Sequence, residues 1–240
     1  MQKLDILAIA AHPDDVELSA AGTVIKHIRI GYKIGLLDLT QGELGTRGTP
    51  KIRREEALDA ADILGVHERI QLDMPDGFFE NNMQNQLEII KILRYYQPEI
   101  VLANAIDDRH PDHSRAAKLV HEACFLAGLK KIATVDGDGK EQDPWRPNMQ
   151  FNYIQDYFTQ PHLIIDISNY MDQKLEAIQA YKSQFFNPAS KEPDTPISTE
   201  SFIEFIIARA RQMGRMIGAE YGEGFTVSRP VGVTDLLDLT

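Results

Sequence analysis

The strongest constraint on this chain is the alternation of short apolar runs with amphipathic segments through its first half. LDILAIA (4–10) is apolar at nearly every position and reads as a strand buried on both faces. Val16–Arg29 then reads as a helix, KIGLLDL (33–39) as a strand, and KIRREEALDAADILG (51–65) as a helix stopped by Gly65. RIQLDM (69–74) is a strand, Asn82–Tyr96 a helix ended by Pro98, EIVLANA (99–105) a strand and His113–Ala127 a helix. Repeated strand–helix units predict an α/β fold whose mostly parallel sheet carries helices on both faces.

The second half is less regular. MQFNYIQDY (149–157) and HLIIDIS (162–168) read as strands, and Tyr170–Phe185 as a helix. NPASKEPDTPIS (187–198) is a proline-rich loop, and STESFIEFIIARARQMGRMIG (198–218) is the longest helix. The turn-rich stretch 137–147 is a surface excursion, not a linker, so residues 1–240 are expected to form one domain.

A net charge of −11 argues against a nucleic-acid surface. The one cysteine, Cys124, cannot form an intramolecular disulfide and reads as a small core residue. The start lacks a signal-peptide layout, and no run approaches a membrane span, so no membrane partner is expected and the expected home is the cytoplasm. A dinucleotide site needs G-x-G-x-x-G after the first strand; here the chain has AHPDDVELSAAG, with one glycine, so no dinucleotide site is expected. GELGTRGTP (42–50) lacks the P-loop lysine and reads as a mobile loop, a plausible lid.

Polar residues concentrate in two places. His12-Pro13-Asp14-Asp15 follows the first strand, and Asp107-Asp108-Arg109-His110-Pro111-Asp112-His113 follows the fourth. In a sheet of order 3-2-1-4-5, strands one and four are neighbours at the switch point, so the two clusters are expected to face each other across the crevice. A divalent cation would relieve the repulsion between adjacent carboxylates. His12, Asp15 and His113 form a three-ligand set suited to Zn²⁺ with an open fourth position, and the same donor types suit Fe²⁺. Asp14 is left over as a general base. His110, if charged, could donate to an oxyanion or protonate a leaving amine, with Asp112 holding its ring in one tautomer. The plainer reading of Asp15 is a helix N-cap, and of His12 a surface residue at a strand end.

AHPDD after the first strand, paired with HPDH after the fourth, resembles the PIG-L/LmbE-type zinc-dependent N-deacetylases. GTRGT, RREEA, AYKSQF and YGEGF resemble stretches of the branch acting in bacillithiol biosynthesis. The resemblance implies a Rossmann-like fold without a dinucleotide, often hexameric, and removal of acetyl from N-acetylglucosaminyl malate. It assigns His12, Asp15 and His113 as ligands, Asp14 as base, His110 on the oxyanion side and Asp112 as its partner. It further assigns Arg53 and Arg146 to the malate carboxylates, for which guanidinium is well suited; a solvated helix face paired with Glu55 or Glu56 is the plainer reading of Arg53. A family tyrosine near the start of the last long helix falls on Phe202, which has no hydroxyl; Tyr153 or Tyr157 could replace it. Other family substrates include N,N'-diacetylchitobiose and related GlcNAc compounds. A non-haem Fe(II) oxygenase and a metal-stabilised carbohydrate-binding module are the rivals; neither has a use for Asp14 beside Asp15.

Overall fold

The structure is a computed structural model that describes residues 3–239. Its elements run β1 (Ile6–Ala10), α1 (Asp15–Arg29), β2 (Ile34–Asp38), α2 (Pro50–Leu64), β3 (Glu68–Gln71), α3 (Met83–Tyr96), β4 (Ile100–Ala103) and α4 (Pro111–Ala127). They continue β5 (Met149–Tyr153), β6 (Leu163–Asp166), α5 (Met171–Gln179), α6 (Glu200–Met216) and β7 (Gly222–Val227). The seven strands form one sheet of order β3-β2-β1-β4-β5-β7-β6. β3 to β5 pair in parallel, whereas β7 is antiparallel to both β5 and β6. The sheet is therefore mostly parallel, with β1 and β4 adjacent as the alternation predicts.

Pleating sorts the apolar runs onto two faces. Leu7 and Ile9 pack with Leu37, Val101 and Ala103 beneath α3 and α4. Ile6, Ala8 and Ala10 pack with Ile34, Leu36 and Leu102 against α1. Burial on both faces is why these strands read as continuous apolar runs instead of alternating ones.

One expectation needs correction, and one strand, β7, had no expectation at all. The helix expected over Tyr170–Phe185 ends at Gln179. Just beyond that end, Ser183 donates from its backbone N–H and its Oγ to the two oxygens of Glu56, both at 2.7 Å. β7 carries too few β-branched residues and too many glycines to read as a strand. Those glycines are required by close packing. A Cβ on Gly222 would lie 2.7 Å from Ile164 Cγ2 and 2.9 Å from the Gly214 nitrogen, and one on Gly224 would lie 3.0 Å from Met213 Sδ. They let α6 lie directly on β7.

β7 also fastens α1. Buried Glu223 accepts from the amides of Gly22 (3.0 Å) and Thr23 (2.7 Å) and from Lys174 Nζ (2.6 Å), which is also buried. Removing one partner of a buried ion pair strands the other charge in a medium that solvates it poorly. Glu223→Ala is expected to cost about 3–5 kcal/mol, against less for Glu223→Gln, which keeps an acceptor. Urea denaturation of the two variants measures this; a loss below about 1 kcal/mol for the alanine would show that Lys174 finds another partner.

Candidate metal centre and catalytic cluster

β1 stops at Ala10 and α1 starts at Asp15, so the intervening turn is tight. Asp14 takes it at φ 108°, ψ −22°, in the left-handed region that non-glycine residues avoid at a cost of roughly 1–3 kcal/mol. Asp14 occupies the N-cap position without making a side-chain cap. Asp15 is not the cap either: its Oδ2 accepts from the backbone N–H of His12 at 3.0 Å. The plainer reading of Asp15 therefore falls away.

Asp15 is buried and held from several sides. Asn104, just past β4, donates from Nδ2 to Asp15 Oδ2 (2.9 Å), while its Oδ1 accepts from the Ala11 amide (2.8 Å). Gln155, just past β5, donates from Nε2 to Asp15 Oδ1 (3.1 Å). From the first turn of α4, His113 Nε2 reaches Asp15 Oδ1 at 3.0 Å. His12 Nδ1 lies 3.7 Å from Asp15 Oδ2. The crevice thus brings His12, Asp15 and His113 together, as the strand order requires.

The donor chemistry fits a cation. The contacts of Asp15 with His113 (3.0 Å) and with His12 (3.7 Å) are each of the size that two bonds of roughly 2 Å to one ion would span. Each imidazole has its far nitrogen occupied: His113 Nδ1 bonds Asp108 Oδ2 at 2.5 Å, and His12 Nε2 bonds Asp76 Oδ1 at 3.0 Å and Asp112 Oδ2 at 3.3 Å. Carboxylates behind ring nitrogens in this way fix the tautomer and leave the near nitrogen as the ligand atom. A competing set exists: nitrogens of His12, His110 and His113 lie within 4.8 Å of one another. Asp15 is the better third member. It touches both His12 and His113, and its charge would offset that of a cation.

The electrostatics carry the same signature. Burial opposes charge on His12, but Asp112, Asp76 and Asp15 overcome it and raise its pKa to about 10. Burial likewise opposes charge on His113, and Asp15 and Asp108 raise it to about 9. Despite burial, His113 and His12 hold the Asp15 carboxyl well below the usual range. Burial pushes Asp14 up to about 6 against the pull of Arg53. Arg53, buried in α2, donates from Nη2 to Asp14 Oδ2 (2.7 Å) and to the Pro13 carbonyl (3.0 Å). It is not a solvated residue paired with Glu55 or Glu56.

Several expectations change. Burial, then the charges on His12 and His113, lower the pKa of His110, so its neutral form is favoured over the charged one expected. Its Nδ1 accepts from the Asp112 amide at 3.3 Å, which leaves the proton on Nε2. The Asp112 carboxylate holds His12, the Gly77 amide and Arg115 instead of the His110 ring. Arg146 is remote: it donates to the Phe125 carbonyl (2.7 Å) and stacks 4.3 Å over the Phe125 ring, about 20 Å along α4 from its N-terminus. Tyr153 is fully buried and donates to the Ile9 carbonyl (3.0 Å), and neither it nor Tyr157 lines the cavity. Phe202 does line it, stacked on Phe185 with ring centroids 6.1 Å apart. The 42–50 segment is fastened, not loose: Arg47 Nε donates to the Pro193 carbonyl (2.6 Å), and the Arg47 carbonyl accepts from Gln184 (2.9 Å).

Sequence reasoning gave no role to Asp76, Asn104 or Gln155, and quoted Asp108 without one. Each follows the C-terminal end of a strand, the edge where the crevice opens, and that position was the available signal. The resulting cavity measures about 340 Å³. The polar cluster lines it together with Ile197, Phe202, Phe205 and Ile206. Arg109 and Arg209 also line it, the first bonded to the Asp156 carboxylate and the second to the Asp156 carbonyl.

Residues 7–124 match the family model PIG-L, described as GlcNAc-PI de-N-acetylase. The diacetylchitobiose deacetylase of Thermococcus kodakarensis is 31% identical over 91% of this chain and 81% of its own. The conserved protein TT1542 from Thermus thermophilus superposes with a TM-score of 0.85 at 35% identity, over 97% of this chain and 98% of that one. Two further relatives are each 27% identical. The 4-oxalmesaconate hydratase of Pseudomonas putida covers 74% of this chain and 73% of its own. The probable N-acetyl-α-D-glucosaminyl L-malate deacetylase 2 of Bacillus anthracis covers 75% of this chain and 81% of its own. With the paired HPDD and HPDH motifs meeting across β1 and β4, this chain belongs to the PIG-L family of de-N-acetylases.

Proposed function

We propose that the protein is a metal-dependent N-deacetylase that hydrolyses the acetamide of an N-acetylglucosaminyl conjugate, with N-acetylglucosaminyl L-malate as the substrate of bacillithiol biosynthesis. The observation that carries this reading is Asp14. It is a buried carboxylate at the cluster, in a strained backbone conformation, and is not needed as a ligand. A binding module would have no reason to maintain it, and an oxygenase needs no such base.

His12 Nδ1, Asp15 and His113 Nε2 would hold the ion, zinc by donor set, with ferrous iron as the alternative. Zinc, when bound, supplies a Lewis acid that polarises the acetyl carbonyl and makes water a better nucleophile near neutral pH. Arg53 occupies Asp14 Oδ2, so Oδ1 takes a proton as water attacks the acetyl carbon. His110 Nε2–H donates to the carbonyl oxygen as it gains charge. The carbon–nitrogen bond then breaks, the proton passes to the departing amine, and acetate and the free amino sugar leave. His110 needs no net charge for the oxyanion step, which agrees with its lowered pKa.

Arg109 and Arg209 line the cavity and would bind aglycone carboxylates, the part that the resemblance gave to Arg53 and Arg146. The rival substrate is N,N'-diacetylchitobiose, which bears no carboxylate. A cytoplasmic setting fits the buried free thiol of Cys124, and no helix of the described residues is long and apolar enough to cross a membrane. Assembly as a homo-oligomer, a hexamer by resemblance, would give cover to exposed Phe78, Met83 and Leu237.

Chelation should abolish acetate release from N-acetylglucosaminyl malate and zinc should restore it without oxygen uptake; a protein that works as a hydratase and releases no acetate would overturn the proposal. Asp14→Asn, which retains a partner for Arg53, should lower kcat by about 10²–10⁴-fold with metal content unchanged; loss of metal along with rate would remove Asp14 as the base. Arg109→Ala and Arg209→Ala should raise KM for the malate conjugate and leave diacetylchitobiose hydrolysis alone. Arg146→Ala should alter neither, and equal effects on both substrates would argue against an anionic aglycone.

A further inference from the structure

We infer that Asp76 is a positioning residue, one that sets the ring of His12 and ties it to the 42–48 segment at the cavity wall. The inference rests on the reading of His12 as a metal ligand. Asp76 lies past the end of β3, in the sequence MPDGF, where it looks like an ordinary turn residue. Its surroundings are not those of an ordinary turn. It is buried, and both its oxygens and its amide are engaged. Oδ1 accepts from His12 Nε2 at 3.0 Å, Oδ2 accepts from the Leu44 amide at 2.9 Å, and its own N–H donates to Glu43 Oε1 at 2.7 Å. One carboxylate thus holds a proposed ligand with one oxygen and the backbone of the neighbouring loop with the other.

The second carboxylate at His12 Nε2, Asp112, is the more distant one. It lies at 3.3 Å, and it also serves the Gly77 amide and the guanidinium of Arg115. Asp76, Asp112 and His12 are close enough together to suggest a second cation site. Arg115 argues against that, because a cation there would share a carboxylate with a guanidinium. With Nε2 protonated, His12 shares its one N–H between both acids.

Leu44, Gly45 and Thr46 line the cavity. A substrate seated against them therefore bears on the same hydrogen-bond chain that aligns His12: Leu44 N–H to Asp76 to His12. Besides the Arg47 contacts at its far end, the segment rests on Arg53, whose guanidinium packs under it. A Cβ on Gly42 would lie 2.4 Å from Arg53 Nη1, and one on Gly45 3.2 Å from the same atom. Through Asp76 and Arg53 one loop touches the supports of both His12 and Asp14.

The test uses the full chain loaded with zinc, with Asp76→Ala and Asp76→Asn compared with wild type. Chelator competition reads zinc affinity, hydrogen exchange reads the 42–48 amides, and steady-state kinetics read kcat and KM. Asp76→Ala should weaken zinc binding by about 10–100-fold and speed exchange of the 42–48 amides. Asp76→Asn keeps one carbonyl acceptor, so it should restore part of the zinc affinity or part of the loop protection; it also carries the test if the alanine variant does not fold. Glu43→Ala, which leaves the His12 ring untouched, should speed exchange and raise KM with a smaller change in zinc affinity. If Asp76→Ala loosens the loop but holds zinc as tightly as wild type, Asp76 is only a turn residue and the inference is overturned. If wild type itself binds no zinc, the metal reading fails first, and the chelator measurement on wild type identifies that case separately.

Discussion

The crevice depends on a buried carboxylate being kept ionised. Asp15 is almost wholly removed from water, a condition that ordinarily drives a carboxyl to take up a proton. Four contacts prevent this: the His12 amide, Asn104, Gln155 and the His113 ring. They come from the turn after β1, the ends of β4 and β5, and the first turn of α4. No local segment could assemble them. The parallel pairing of β1 with β4, and of β4 with β5, is what makes the site.

The same logic of compensated burial extends behind Asp14. Arg69, on β3, bonds Asp38 through Nε (2.9 Å) and Glu17 through Nη1 (2.5 Å), and donates from Nη2 to the Tyr181 hydroxyl (2.9 Å). Glu17 is fully buried in the first turn of α1, next to Asp14 and Asp15 in sequence. The chain thus concentrates acids on the α1 side of the crevice and offsets them with two buried arginines, Arg53 and Arg69. The remaining negative charge faces His12 and His113 and favours their protonated forms, a charge that a divalent cation could supply in place of those protons. The overall charge of −11 is therefore not merely a surface property.

Strand and helix order through α4 was legible because both-face burial writes itself as unbroken apolar runs, and because Gly65 and Pro98 punctuate them. β7 was not legible. Its glycines serve α6 packing and its Glu223 serves α1, so its composition answers to distant partners and not to strand propensity. At the site, residues within the HPDD and HPDH motifs could be read because two clusters at one sheet edge are improbable by chance. Isolated polar residues, Asp76, Asn104 and Gln155, could not, since each has an unremarkable turn or strand-end explanation until the fold brings it to the others. Arg146 misled for the opposite reason. Guanidinium chemistry suits a carboxylate anywhere, and only the length of α4 shows that this one lies at the wrong end of a helix.

The shape of the cavity bears on what can be selected. Its lining combines an ionic cluster fixed by hydrogen bonds with aromatic and aliphatic side chains from α6 and the residues before it. A pyranose has both characters, hydroxyls at its rim and carbon–hydrogen faces above and below. At about 340 Å³ the space is near the lower end for small-ligand sites, so a sugar would leave little room beyond a compact aglycone. The cavity-lining arginines then become decisive. Exposed Arg109 is already paired with the Asp156 carboxylate, and half-buried Arg209 donates to the Asp156 carbonyl. An incoming carboxylate must compete with those bonds, whereas a neutral aglycone leaves them intact. On the proposed reading, selection between anionic and neutral conjugates would turn on the difference between a new ion pair and the bonds it displaces, not on the presence of positive charge alone.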